Sequence, residues 1–169
     1  MKVAILVEDM YEDVEFWYPY YRMKEAGAEV VVVAPKAGAT YNSKHGYPAV
    51  SQLSGAEASA DEFDAVIVPG GFCPDRLRRD PNILRFVADM DKKGKVVAAI
   101  CHAGWVLISA KIIKGRKATS VSAIRDDMEN AGCIWLNEPV VVDGNLITSR
   151  VPDDLPHFLP AIIKALKLA

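Results

Sequence analysis

No surplus of basic residues marks this chain: 20 Lys and Arg stand against 22 Asp and Glu, a formal net charge of −2. A nucleic-acid binder neutralises phosphates with a visible basic surface, so that class is not expected. Long apolar runs are missing too. The first, Val3 to Val7, covers five residues and is stopped by Glu8-Asp9 with no small-residue cleavage site. It is too short for a signal core or for the ~18 residues that cross a bilayer, so no membrane association is expected. Cysteine is scarce. Cys73, Cys101 and Cys133 are odd in number and unevenly spaced, which builds no disulfide framework and points to a reducing cytoplasm. Together with His45 and His157, Cys73 and Cys133 show none of the spacings of a zinc site, and no metal is predicted. Neither GxGxxG nor GxxxxGK[ST] occurs, so no nucleotide cofactor is expected either.

What is present reads as a globular α/β protein. Half of the 169 residues are hydrophobic and a quarter charged, and a chain of this length fits one domain, residues 1–169. Strand-like runs at Val3–Val7, Val30–Val33, Ala65–Val68 and Val96–Ile100 alternate with amphipathic segments at Val14–Ala26, Pro81–Lys92 and Trp105–Ser109. That alternation predicts a parallel sheet, and strands apolar along their whole length predict helices on both faces, a three-layer sandwich. Gly27 and Gly94 sit where C-terminal caps belong. Tyr47–Val50 reads as a short added strand or hairpin. The Asp143-Gly144 pair predicts a turn between two further strands within 139–149. A last helix is expected over 155–168, capped by Asp153 or Asp154, with Pro156 in its first turn and Pro160 kinking it or delaying its start.

The chemistry points to Cys101. The run Val96-Val97-Ala98-Ala99-Ile100 breaks at once into His102-Ala103-Gly104, which puts a thiol on a sharp strand-to-helix turn facing backbone amides. In an open parallel sheet the loops at the carboxyl ends of the strands share one edge. Glu8–Glu12, Pro69–Cys73 and Cys101–Gly104 therefore converge. Glu12 is a candidate proton donor to the thiolate, while Asp13 and Glu15 read as first-turn acids serving the helix dipole. Gly70-Gly71 permits close backbone approach, and the Gly71 and His102 amides are candidate oxyanion donors. His102 reads equally as a base or as a backbone and surface residue. Cys133 reads as a buried strand residue and Cys73 as a partly exposed bystander.

Nearly end to end the chain resembles the PfpI family of intracellular-protease-like proteins, in the superfamily of the Parkinsonism-associated protein deglycase. The resemblance rests on Glu12-Asp13-Val14-Glu15, Lys44-His45-Gly46, Pro69-Gly70-Gly71, Ala99-Ile100-Cys101-His102, Lys114-Gly115-Arg116-Lys117, Asp126-Asp127, Val141-Val142-Asp143-Gly144 and Ser149-Arg150-Val151-Pro152-Asp153-Asp154-Leu155. Gly-Gly-Phe-x-Pro-Asp and Arg-Val-Pro-Asp-Asp-Leu-Pro are most similar to the general-stress branch. The resemblance implies a flavodoxin-like, class I glutamine amidotransferase-like sandwich with Cys101 as nucleophile and Glu12 hydrogen-bonded to it. It implies an oxyanion hole of Gly71 and His102, and a pocket that includes Glu15, Lys44 and Gly70. It also implies a homodimer or higher homo-oligomer, in which His102 acts as base oriented by an acid from a neighbouring chain, here Asp75 where relatives carry Glu. Two departures stand out: Ala103-Gly104-Trp105 replaces Gly-Pro-Gln, so the Trp105 indole is expected to wall the cleft, and Val121-Ser122 replaces Tyr-Pro.

The function expected from residues and resemblance together is cofactor-independent cysteine chemistry on reactive dicarbonyls. Its form is either conversion of methylglyoxal to lactate or removal of early glycation adducts from proteins. The alternatives are an oligomeric cysteine peptidase and a redox-sensing stress protein or holding chaperone in which Cys101 oxidises.

Overall fold

The computed structural model describes residues 1–169. Eleven strands and six α-helices follow one another along the chain. The strands are β1 (Lys2–Leu6), β2 (Glu29–Ala34), β3 (Thr40–Asn42), β4 (Pro48–Val50), β5 (Leu53–Ser54), β6 (Ala65–Val68), β7 (Val96–Ile100), β8 (Lys117–Ala118), β9 (Ile134–Trp135), β10 (Val140–Asp143) and β11 (Leu146–Ser149). The helices are α1 (Asp13–Glu25), α2 (Cys73–Leu77), α3 (Pro81–Lys92), α4 (Gly104–Ser109), α5 (Arg125–Asn130) and α6 (Leu155–Ala165).

Seven strands form the main sheet in the order β10-β11-β7-β6-β1-β2-β5, and every pairing is parallel except β10 with β11. This is the mainly parallel α/β flavodoxin-like sandwich. β6 and β7 are buried at every residue, as strands covered on both faces must be. Helices supply the cover: α1 and α6 pack against each other, and α3 packs against β6 and β7. A cluster of 52 buried residues runs through these layers. Hydrophobic burial on that scale, about 1.5–3 kcal/mol for each large side chain fully removed from water, outweighs weak local features such as the short β5.

Both hairpins form. β3 and β4 pair antiparallel through 40–50, and Gly144, at φ 58°, turns β10 into β11. Gly27 and Gly94 take the left-handed conformation of C-caps, at φ 91° and 68°. The last helix differs from expectation in two respects. Pro160 neither delays nor ends α6, which continues through it. Asp154 stands at the N-cap position but makes no capping bond, because its carboxylate is taken by Arg150 in a two-pronged pair at 2.9 and 3.0 Å. Cys73 is not partly exposed as expected but fully buried. Cys133 is buried, one residue ahead of β9 rather than within a strand.

Candidate active site

β7 ends at Ile100, fixed in register by Ser149 of β11, and the next residue turns. Cys101 adopts φ 62°, left-handed backbone that an L-residue enters at a cost of roughly 1–3 kcal/mol and keeps only when its surroundings demand it. A single 3₁₀ turn, Cys101–Ala103, then leads into α4. The thiol stands half-buried on this elbow. Its pocket, of about 180 Å³, is lined by Glu12, Glu15, Lys44, Gly71, Phe72, Cys101, His102 and Pro152.

The acid at the thiol is Glu15. Glu12 precedes α1 and turns to the rim, where its Oε2 accepts from Lys44 Nζ at 2.9 Å. Glu15 is the third residue of α1 and lies on the buried face with Pro19 and Met23, each four residues on. Its Oε1 accepts the Gly70 N–H at 2.9 Å, and its Oε2, equally sealed, has no partner in the protein. Gly70 separates this carboxyl from the cysteine so narrowly that a Cβ there would lie 2.5 Å from Glu15 Oε1 and 2.8 Å from Cys101 Cβ. Only glycine fits. The expected Glu12 hydrogen bond to the sulfur is absent, and Glu15 makes none either, but Glu15 lies behind Gly70 beside the cysteine and its charge raises the thiol more than that of Glu12 does.

Electrostatics follow from this enclosure. Burial pushes the Glu15 carboxyl up to about 8, against the pull of the Gly70 amide and reinforced by the charge of Glu12. Burial, and then the Glu15 charge, push the Cys101 thiol up to about 12, while the His102 and Gly71 backbone amides oppose that rise. A proton on Glu15 removes the repulsion and leaves the amides. His102 Nδ1 lies 3.4 Å from Sγ, and burial followed by the nearby Lys44 holds the imidazole below its ordinary value. It is neutral at pH 7.

The other expected site residues are spread wider. Lys44 closes the rim, its ammonium 5.7 Å from the centre of the Phe72 ring. Trp105 does not line the cysteine pocket. Its Nε1 donates to Asp127 at 2.9 Å and its ring packs behind His102, in an adjoining groove with Arg78. Phe72 and Pro152 are the apolar walls instead. Asp75 has an exposed carboxylate on α2 that is bonded to Arg79 at 2.6 Å and makes no hydrogen bond to His102. Glu12, Asp13 and His45 bring ligand-capable atoms within 4.8 Å of one another, a grouping that the linear spacing does not reveal. Those atoms are already engaged: Asp13 by His45 at 2.8 Å and Ser43 at 2.7 Å, Glu12 by Lys44.

A thiol on a strand-to-helix elbow, backed by a buried carboxyl and two converging amides, defines an elbow-cysteine protein built on a parallel α/β sheet. The chain belongs to the DJ-1/PfpI family, whose profile it matches over residues 1–165. It is 45% identical to Deglycase PfpI of Pyrococcus furiosus over 167 residues, 99% of this chain and 100% of that protein. Protein/nucleic acid deglycase 2 of Escherichia coli is 45% identical over 93% of this chain and 92% of its own length. The putative cysteine protease YraA of Bacillus subtilis is 39% identical over 98% of both. Among solved structures, a protein from Anabaena variabilis with a DJ-1/ThiJ/PfpI-like and a ferritin-like domain superposes with a TM-score of 0.97 at 48% identity. The match covers 98% of this chain and 48% of that one. No helix here is long and apolar enough to cross a membrane.

Proposed function

We propose that this protein is a cysteine-dependent enzyme of stress defence that acts on reactive dicarbonyls, free or as early adducts on proteins, without a cofactor. The observation that carries the reading is the buried Glu15 carboxyl at the Cys101 elbow, with its raised pKa and one unpartnered oxygen. A general acid–base works best when its pKa lies near the working pH, and a value of about 8 keeps most of Glu15 protonated at neutrality while leaving an ionised fraction in exchange. The deglycase names of relatives at 45% identity support the same chemistry.

Methylglyoxal reacts through its aldehyde carbon. Sγ adds to the aldehyde carbon, the thiol proton passes to His102 Nδ1, and the Gly71 and His102 amides hold the oxygen that becomes an alkoxide. That oxygen takes back the proton, which gives a hemithioacetal. Glu15 as carboxylate takes the proton from the former aldehyde carbon and delivers it to the neighbouring carbon, while the hydroxyl proton of the hemithioacetal passes to the ketone oxygen, so that the first carbon becomes a thioester and the ketone a hydroxyl. Water cleaves the thioester, and lactate and the free thiol are regenerated. The pocket of about 180 Å³ suits a carbonyl of this size. Cys101→Ala is expected to abolish lactate formation, measured by an enzymatic lactate assay, and undiminished production by that variant would eliminate the mechanism.

The name of the Bacillus subtilis relative favours a second reading, an intracellular cysteine peptidase. That reading needs a homodimer or higher homo-oligomer, with Asp75 of a second copy orienting His102. The exposed Val14, Tyr18, Tyr21 and Tyr47 support self-association. Casein cleavage by purified oligomer, lost in Cys101→Ala and in Asp75→Ala alike, would favour it. The cytoplasm fits both readings. So does the third, a redox sensor, for which mild peroxide should oxidise Cys101 ahead of Cys73 and Cys133 by mass spectrometry.

A further inference from the structure

Cys73 is the buried nucleophile that the reaction above leaves unused. It opens α2 and is 0% exposed. Burial holds its thiol well above the ordinary value, so the sulfur keeps its proton at neutral pH. That S–H reaches back across the turn, with Sγ 3.4 Å from the Gly70 carbonyl oxygen and 3.7 Å from that of Pro69. The Gly70 oxygen has one other donor, the Glu12 N–H at 3.2 Å.

The consequence lies in the peptide plane. A trans peptide unit fixes the C=O of one residue and the N–H of the next in opposite directions, and no peptide here is cis. Whatever holds the Gly70 oxygen therefore aims the Gly71 N–H, which belongs to a residue that lines the same pocket as Cys101 and whose amide draws the thiol's pKa down. The restraint matters at this position because Gly71, at φ 76°, and Gly70 lack the Cβ atoms that would otherwise limit rotation of the unit between them.

We propose that Cys73 is a positioning residue whose thiol pins the Gly70 carbonyl, so that the Gly71 amide stays directed at the Cys101 sulfur and at the oxygen that becomes negative beside it. The proposal rests on Cys101 being the nucleophile, and its test is separable from the identity of the substrate. Cys73→Ala and Cys73→Val remove the donor, one with and one without loss of volume, and Cys73→Ser restores one. Two quantities are read in each: the pH midpoint of Cys101 alkylation by iodoacetamide, followed by peptide mass spectrometry, and kcat and KM with methylglyoxal.

In Ala and Val the Cys101 midpoint is expected to rise and kcat to fall by about 2- to 10-fold, the worth of one modest hydrogen bond, with KM little changed. Ser recovers at least half of each effect. Unchanged midpoint and kcat in a folded Ala or Val variant, a Ser variant as impaired as Ala, or failure of both apolar variants to fold would each reduce Cys73 to packing and overturn the proposal. If wild type shows no turnover of methylglyoxal but the midpoint still shifts, the positioning role stands and the substrate reading falls.

Discussion

Glu15 shows how a single burial decision assigns chemistry. Its carboxyl ionises at about 4.5 in the unfolded chain and at about 8 in the fold, so its contribution to stability is complete below pH 4.5 and is lost as the pH rises through 8. Glu15→Gln, which cannot ionise, is therefore expected to melt above wild type at about pH 8.5, by an amount on the order of a few kcal/mol. By about pH 4.5 the gap closes. Differential scanning calorimetry across that range checks both the sign and the window. Gly70→Ala tests the same neighbourhood by volume: its Cβ meets Glu15, Cys101 and the Ile100 carbonyl oxygen within 3.0 Å. Overpacking should cost about 1–3 kcal/mol in urea denaturation and sharply reduce turnover by parting the acid from the thiol. The residue-level legibility was uneven. The elbow at Cys101 is legible because a continuous apolar strand breaks abruptly there, whereas loop position singles out Glu12 and only helical phase shows Glu15 to be the buried acid. The signal was present, since Glu15, Pro19 and Met23 share one i, i+4 face, a carboxylate on an otherwise apolar stripe.

At the scale of elements, the strands β1, β2, β6 and β7 and the helices α1 and α3 are legible from periodicity, and the β10–β11 hairpin from its Asp143-Gly144 turn, whereas Tyr47–Val50 reads only as an added strand or hairpin. The pocket walls are not legible. Phe72 and Pro152 reach the site from loops 80 residues apart in sequence, and the pattern of a single element carries no record of such a meeting. The place of Trp105 is hidden for a related reason: α4 turns it behind His102 toward Asp127 of α5, a helix-to-helix contact that spacing does not show. Pro152 is held by the segment around it. Arg150 and Asp154 bracket it with two side-chain bonds and a third from the Arg150 N–H at 3.1 Å, and Arg150 also reaches Asn137. Asp154→Ala is expected to lower the melting temperature by about 2–6 °C and to raise KM more than it lowers kcat, because the wall loosens while the thiol stays in place. Thermal melts and steady-state kinetics on one preparation read both effects.

For the molecule as a whole, the sheet gathers three loops at one edge and leaves Asp75 outside, on the exposed side of α2. Carbonyl chemistry as proposed is complete within one chain, so Asp75→Ala should keep lactate formation within about 2-fold of wild type, the range of a surface substitution. Sedimentation of both proteins establishes whether assembly changed. The central claim is that Cys101 and Glu15, not Cys101 and Glu12, form the reacting pair. Steady-state lactate production from methylglyoxal at pH 7 by wild type, Glu15→Gln and Glu12→Gln tests it most directly. The expected result is a loss of about 10²- to 10⁴-fold in Glu15→Gln and only a few-fold change in Glu12→Gln. Full activity in Glu15→Gln, or an equal loss in Glu12→Gln, would contradict the account.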